Sequence, residues 1–402
     1  MSLGTKKLGQ KEDRKPMTQI YLIRHAEAEG NLYRRIHGWY NSLITENGYR
    51  QIAALADRFR NIKIDAVYAS DLFRTMTTAR AVYEPKGLPL YTNVSLREVH
   101  MGWWEDHPWG EIARIDREEL ALFNATSPDW KVEGGESLEE VRTRVAETLR
   151  SIAARHEGET VAVFCHGTAI RNTLAYFDGL SVAESAGLAH SDNTAVSLLE
   201  FQGGQAKVIF RDDNSHLPED ISTLGRQKWW KSEKGSLSDV NLWYRPLDFD
   251  RESELYYQAR KEAWITIHGT LKGFQGEGFL LDAREQSRRD VRSVICAMQG
   301  DRPVGVLQMD FLRDAENGVG GIPFYYLMPE ARSHGLGIQL LGQAVSTYRP
   351  LGRRYLRLRC APENTVAQRF YRKNGFYKVG EEPGGIGTLE VLEKYIGYEA
   401  RT

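Results

Sequence analysis

The first half of the chain alternates short apolar runs with amphipathic helical stretches, and this alternation restricts its possible folds more than any other feature. Ile20-Tyr21-Leu22-Ile23, Ala66-Val67-Tyr68-Ala69 and Thr160-Val161-Ala162-Val163-Phe164 have the length and side chains of buried strands. Thr45 opens a stretch with Ile52, Leu55, Ala56 and Phe59 at i, i+3, i+4 and i+7, which is one face of a helix. Ser70-Asp71 leads into another helix, and Ser137-Leu138-Glu139-Glu140 reads as a capping box opening a long helix to about Arg155. Strands separated by helices return parallel, so the pattern predicts a mainly parallel sheet with helices on both faces.

The alternation stops near residues 217–242. This segment is polar, carries Pro218 and Gly225, and reads as a linker. Trp229, Trp230 and Trp243 sit within or beside it, which favours a packed linker over a loose one. A different pattern begins at about Leu242. Residues 293–298 and 304–311 flank Gln299-Gly300-Asp301-Arg302-Pro303, a hairpin signal. Residues 323–328 and 355–359 read as strands, and residues 338–348 as a helix with Leu341, Val345 and Tyr348 on one face. A chain of 402 residues can bury two cores, here divided as 17–216 and 243–398. Residues 1–16 are lysine-rich without an apolar segment and read as a solvated tail, with Met17 a candidate start.

Composition excludes some classes of function. Fifty-three Lys and Arg against 54 Asp and Glu leave a formal charge of −1, which argues against broad nucleic-acid or membrane-surface binding but allows a small basic pocket. The three cysteines, Cys165, Cys296 and Cys360, lie far apart and form no CxxC pair, as suits a reducing compartment. No run of 18 apolar residues occurs. Together these features predict a cytoplasmic location.

Three strand ends carry chemistry. Arg24-His25 follows the first strand, Asp71-Leu72-Phe73-Arg74 the second and His166-Gly167 the third. Ligands of open α/β sheets bind at that edge, so two histidines and two arginines converge if the strands are neighbours. Arginine matches phosphate with parallel donors, and a neutral imidazole can attack phosphorus.

Arg24-His25-Ala26-Glu27 with Asn31, Arg35, Gly38 and Thr45 resembles the histidine phosphatase (phosphoglycerate mutase-like) superfamily. So do Ser70-Asp71-Leu72-Phe73-Arg74, Leu96-Arg97-Glu98 with Gly102, Gly135-Glu136-Ser137 and His166-Gly167, in the same order, over roughly residues 17–216. The resemblance implies a three-layer α/β/α domain that acts on a small-molecule phosphomonoester. His25 would be the nucleophile. Arg24, Arg74 and His166 would hold the phosphoryl oxygens. Glu98 would serve as acid and then base, Asn31 and Arg35 would line the pocket, and no metal is required. Ala26, His37 and Asn41 depart from the family's usual Gly, Gln and Asp. Only about 35 residues separate Glu98 from Gly134, too few for the mutase branch's insertion.

In the second half, Arg332-Ser333-His334-Gly335-Leu336-Gly337-Ile338 lies between a strand and a helix. Its glycines let a ligand approach the backbone, and the helix N-terminus offers N–H groups to an anion. Together with Asn364 and the run Phe370-Tyr371-Arg372-Lys373-Asn374-Gly375-Phe376, this loop resembles the GNAT N-acetyltransferases over about residues 243–398. The resemblance implies a mixed α/β acyl-CoA acyltransferase domain that uses acetyl-CoA and a small-molecule or peptide amine. Leu327 and Met328 would pair with the pantetheine arm, and the backbone from Arg332 to Ile338 would hold the pyrophosphate. Asn364 would support the cofactor, and Tyr371 would protonate the departing thiolate. Two runner-up readings remain. One domain, the acetyltransferase-like one first, is a binding module without turnover, or the first domain is a phosphoglycerate mutase.

Overall fold

A computed structural model describes residues 16–226 and 240–398. The lysine-rich segment 1–15 and the Trp229-Trp230 pair lie outside the described residues. In the first half, β1 (Thr18–Arg24), β2 (Ala66–Ala69), β3 (Leu90–Thr92), β4 (Thr160–Cys165), β5 (Val196–Gln202) and β6 (Gln205–Asp213) form one sheet in the order β3-β2-β4-β1-β5-β6. The first four of these are mutually parallel, and β5 and β6 add an antiparallel edge. Around the sheet lie α1 (Glu29–Tyr33), α2 (Glu46–Phe59), α3 (Phe73–Lys86), α4 (Trp109–Ile115), α5 (Arg117–Asn124), α6 (Leu138–Arg155), α7 (Gly167–Phe177) and α8 (Thr223–Arg226).

The period of two along each strand divides the core into two layers. Ile20 and Leu22 of β1 and Val161 and Val163 of β4 pack with Val141, Val145 and Leu149 of α6 and Ile170 and Leu174 of α7. The alternate residues Ile23, Ala162 and Phe164 pack with Leu55 and Phe59 of α2 and Ala79 and Val82 of α3. The helices begin where the caps predict. The Thr45 hydroxyl accepts from Gly48 N–H, and Ser137 and Glu140 close a reciprocal capping box.

The second sheet contains β7 (Trp243–Pro246), β8 (Val294–Gln299), β9 (Arg302–Asp310), β10 (Val319–Leu327), β11 (Tyr355–Cys360), β12 (Tyr377–Pro383) and β13 (Thr388–Tyr395), in the order β12-β13-β11-β10-β9-β8-β7. On one face α9 (Ser253–His268) and α10 (Gly276–Arg289) cover Cys296, Val306 and Phe324. On the other, α11 (Gly337–Tyr348) and α12 (Thr365–Lys373) cover Ala297, Leu307, Ile322 and Leu358. No helix among the described residues is long and apolar enough to cross a membrane.

The two sheets meet where α1 lies on α11. Tyr33 of α1 belongs to the second half's core, against the bare face of Gly342, where an added Cβ would come 2.4 Å from the Tyr33 Cβ. Arg349, just past α11, reaches back to Glu29 at 2.9 Å, and both side chains are more than nine-tenths buried. Burial alone would lower the Arg349 guanidinium, but the Glu29 carboxylate outweighs it and holds the group above its ordinary value. Arg349→Met strands a buried carboxylate, so it should cost about 3–5 kcal/mol in denaturant unfolding of the full chain. Adding Glu29→Gln should recover part of that loss; strictly additive losses would mean the two residues are not coupled.

Candidate functional site

Because β2, β4 and β1 are parallel neighbours, their carboxyl ends open on one edge of the first sheet. Arg24 lies opposite Cys165 in register, so His25 and His166 follow at the same height. Their ring centroids are 5.3 Å apart, and His37, from the loop after α1, stands 5.6 Å from His25. His25 N–H bonds to the Cys165 carbonyl at 3.1 Å and Ser70 N–H to the Phe164 carbonyl at 3.0 Å, which ties the three strand ends together.

The hydrogen bonds assign the tautomers. His25 Nδ1 lies 2.8 Å from the Ala26 carbonyl, which can only accept, so Nδ1 carries the proton and Nε2 keeps its lone pair. Arg74 Nε donates to His166 Nδ1 at 3.2 Å, so the His166 proton sits on Nε2. That Nε2 is buried with no protein partner among the described residues. Burial first, then the Arg74 guanidinium, holds all three imidazoles well below the ordinary histidine value. The site therefore combines neutral histidines with two charged arginines.

Arg24 donates through Nη1 to the Ser191 carbonyl, and its Nε has no protein partner among the described residues. Arg74 is fully buried, which pushes it down to about 10. It donates to the carbonyls of His37, Gly38 and Tyr40 as well as to His166, which leaves one Nη1–H. Arg74 therefore shapes the His37–Tyr40 loop as much as it faces the strand ends. Glu98 accepts from Val99 N–H, Thr168 N–H and Ala169 N–H, which pins both oxygens at the start of α7. Asn31 lies on the wall, with Oδ1 accepting from Ala28 N–H at 3.1 Å. Arg35 is also on the wall, but its guanidinium turns to Asp106, Gln343 and Ser346 and so belongs equally to the seam with α11.

The departures fit locally. The Ala26 N–H donates to the Thr78 hydroxyl, and its methyl is fully buried. Asn41 Oδ1 accepts from Phe73 N–H at the start of α3, and His37 Nδ1 lies 3.0 Å from Ser42 Oγ. A cavity of about 300 Å³ opens beside these groups, lined by Arg24, Asn31, His37, Glu98, Arg171 and Asn193 among others. Its wall includes Thr223 and Asn241, from segments far along the chain. Sequence reading gave no role to Arg171, Asn193 or His190. The only signal for Arg171 is its place one turn into the helix that His166 begins.

In the second sheet, β10 pairs with β11 in parallel only from Val319 to Ile322. The parallel ladder therefore ends before β10 reaches Leu327. Met328 N–H bonds to the Val304 carbonyl on β9. Ser333 (φ 64) and Gly335 (φ 76) turn the loop through left-handed conformations, and a Cβ on Gly335 would meet nothing within 4 Å. Ser333 and His334 are exposed, Leu336 is buried as the N-cap, and Gly337 and Ile338 begin α11 with no side-chain cap. The start of that helix thus has no side-chain cap competing for its first N–H groups, which suits a pyrophosphate. The Arg332 side chain braces the loop instead, donating to the Leu327 carbonyl and pairing with Glu262 at 2.6 Å. Asn364 caps α12 by accepting from Ala367 N–H. Tyr371 is buried among Tyr325, Phe370 and Phe376, and burial raises its hydroxyl, which keeps it protonated. These residues fit acetyl-CoA.

Residues 20–214 match the family model of the histidine phosphatase superfamily (branch 1), and residues 250–376 that of the acetyltransferase (GNAT) family. A probable phosphoglycerate mutase GpmB of Proteus mirabilis (strain HI4320) is 33% identical over 190 residues, covering 46% of this chain and 86% of the relative. A metal-independent phosphoserine phosphatase of Arabidopsis thaliana is 32% identical over 204 residues, covering 50% of this chain and 84% of the relative. Among solved structures, Bacillus stearothermophilus YhfR is 32% identical with a TM-score of 0.48, covering 50% of this chain and 98% of that one.

The buried imidazoles make stability depend on pH. Unfolded, they take up protons below about 6.5; folded, they remain neutral, so stability is lost as pH falls through that value. Each contributes up to about 1.4 kcal/mol per pH unit below it. The thermal midpoint in phosphate-free buffer should fall between pH 7.5 and 5.5, less steeply in His37→Gln; a flat profile would contradict the buried, neutral triad.

Proposed function

This chain belongs to the histidine phosphatase superfamily (branch 1) and carries an acetyltransferase (GNAT) family domain; we propose that it hydrolyses phosphomonoesters through a phosphohistidine on His25 and acetylates an amine. The observation that carries the first activity is the His25 tautomer, because the Ala26 carbonyl fixes the proton on Nδ1 and leaves Nε2 as the nucleophile. In this reading Nε2 attacks phosphorus as the ester P–O bond breaks, and Glu98 gives the departing oxygen a proton. Glu98 then takes a proton from water, the water oxygen attacks phosphorus, and phosphate leaves as the imidazole is restored. His166 Nε2–H, Arg24 and the remaining Arg74 N–H balance the charge that develops on the phosphoryl oxygens, each contributing about 3–4 kcal/mol to lowering the barrier.

Relatives are named both as mutase and as phosphatase. The short span between Glu98 and Gly134, occupied by α4 and α5, favours hydrolysis. In the second domain, acetyl-CoA supplies an activated acetyl thioester. The backbone from Arg332 to Ile338 would hold its pyrophosphate, Leu327 and Met328 its pantetheine arm, and Asn364 the edge of the site, while Tyr371 keeps a proton for the thiolate. The features supporting a cytoplasmic setting are those of composition.

Base-quenched turnover of a phosphomonoester should trap an alkali-stable, acid-labile phosphoryl adduct, absent from His25→Ala, and turnover should persist in EDTA. Phosphatase activity surviving in His25→Ala would sink the first reading. Acetyl-CoA should bind the full chain in calorimetry, and Tyr371→Phe should lower acetyl-transfer kcat more than KM; no binding at millimolar acetyl-CoA would sink the second.

A further inference from the structure

We infer that Arg171, held by Thr126 and His190, forms a subsite for a carboxylate on the phosphomonoester, two or three bonds beyond its ester oxygen. This inference rests on the phosphate reading of the His25 edge and adds the part of the substrate that the edge does not touch. Arg171 lies five residues after His166, the N-cap of the same helix, which puts it about 7 Å along the axis from that residue. Glu98, bound to Thr168 and Ala169, lies between the two along that helix. Arg171, Thr126, His190, Glu98, Thr168 and Arg24 all line one cavity.

The guanidinium is fixed, and no acid among the described residues is in contact with it. Nη2 donates to Thr126 Oγ1 at 2.5 Å, and Nη1 lies 3.4 Å from His190 Nδ1. Burial first, then the Arg171 charge, pushes His190 down to about 4, so its ring is neutral and can accept. Thr126 is buried and holds a left-handed backbone (φ 52), an unfavourable conformation for a β-branched residue, and from there its hydroxyl meets Arg171. Arg171 Nε is buried with no partner among the described residues. Asp212 and Glu98 act on Arg171 only from beyond contact. Arg35, Arg144 and Arg349 nearby have acids in contact, namely Asp106, Glu136 and Glu29, whereas Arg171 shares its lack of one with Arg24 and Arg74 of the phosphate edge among the described residues. A fixed cation without a counter-ion on a cavity wall is costly unless a ligand supplies the charge. The unused Nε–H, beside a second Nη2–H, forms the side-on fork that matches a planar carboxylate. Trp109, Leu120 and Phe123 line the same cavity and offer an apolar surface to the carbon skeleton.

The test uses the full chain with His25→Ala, so that esters persist, and calorimetry with 3-phosphoglycerate and glycerol 3-phosphate, which differ in the carboxylate. The carboxylated ester should bind at least tenfold tighter. Adding Arg171→Gln should reduce that preference to under twofold, and Arg171→Lys should keep part of it. Equal affinities in the parent, or a preference that survives Arg171→Gln, would overturn the subsite. Tighter binding of propane-1,3-diol bisphosphate than of 3-phosphoglycerate would overturn its assignment to a carboxylate. Hydrolysis is read separately on the unaltered chain. A chain that binds the carboxylated ester without hydrolysing it refutes the phosphatase reading alone. One that hydrolyses both esters with equal kcat/KM refutes the subsite alone, and failure of either ester to bind refutes both.

Discussion

The parallel pairing of β1 with β4 sets most of the geometry. With Arg24 opposite Cys165, the next residue on each strand is a histidine, and the two imidazoles meet without any loop having to carry them there. The same register places the start of α7 at the sheet edge, and the first N–H groups of that helix then fix Glu98. A slip of one residue would turn Ile20 and Leu22 to the opposite helical layer, so burial of the core and alignment of the site are enforced together.

The electrostatics follow from burial. Two arginines and three imidazoles share a small volume, and this is tolerable because the imidazoles are uncharged. Arg74 spreads its donors over three carbonyls and a ring nitrogen, so its charge is dispersed through the backbone with no acid in contact among the described residues. A dianionic group arriving at the strand ends would find donors already oriented, so little reorganisation remains at the moment of reaction.

Much of this was legible in the sequence, for local reasons. The strands at Ala66–Ala69 and Thr160–Cys165, the Thr45 and Ser137 caps and the α11 stripe all depend on patterns a few residues long. The convergence of Arg24, His25, Arg74 and His166 needed one further inference, that parallel strands share an edge. What escaped depends on contacts between distant segments. Arg35 read as a pocket residue, yet it also turns to Gln343 and Ser346, more than 300 residues away. Arg171 looked like any polar residue on an amphipathic helix, because nothing nearby in sequence tells of Thr126 or His190. The Tyr33–Gly342 contact had no local signature at all, since a helical glycine reads only as a weak helix former.

That contact has a consequence for how the molecule is put together. The stretch from α1 to the start of α2 lines the phosphate-side cavity through His37 and Gly38, yet it is also gripped by α11 through Arg35 and by Arg349 through Glu29 and Tyr40. The helix that would cradle one ligand thus braces the wall around another. A severed first half would expose an aromatic ring and an unpaired acid where Gly342 and Arg349 had covered them. The two halves match different families but share this buried seam.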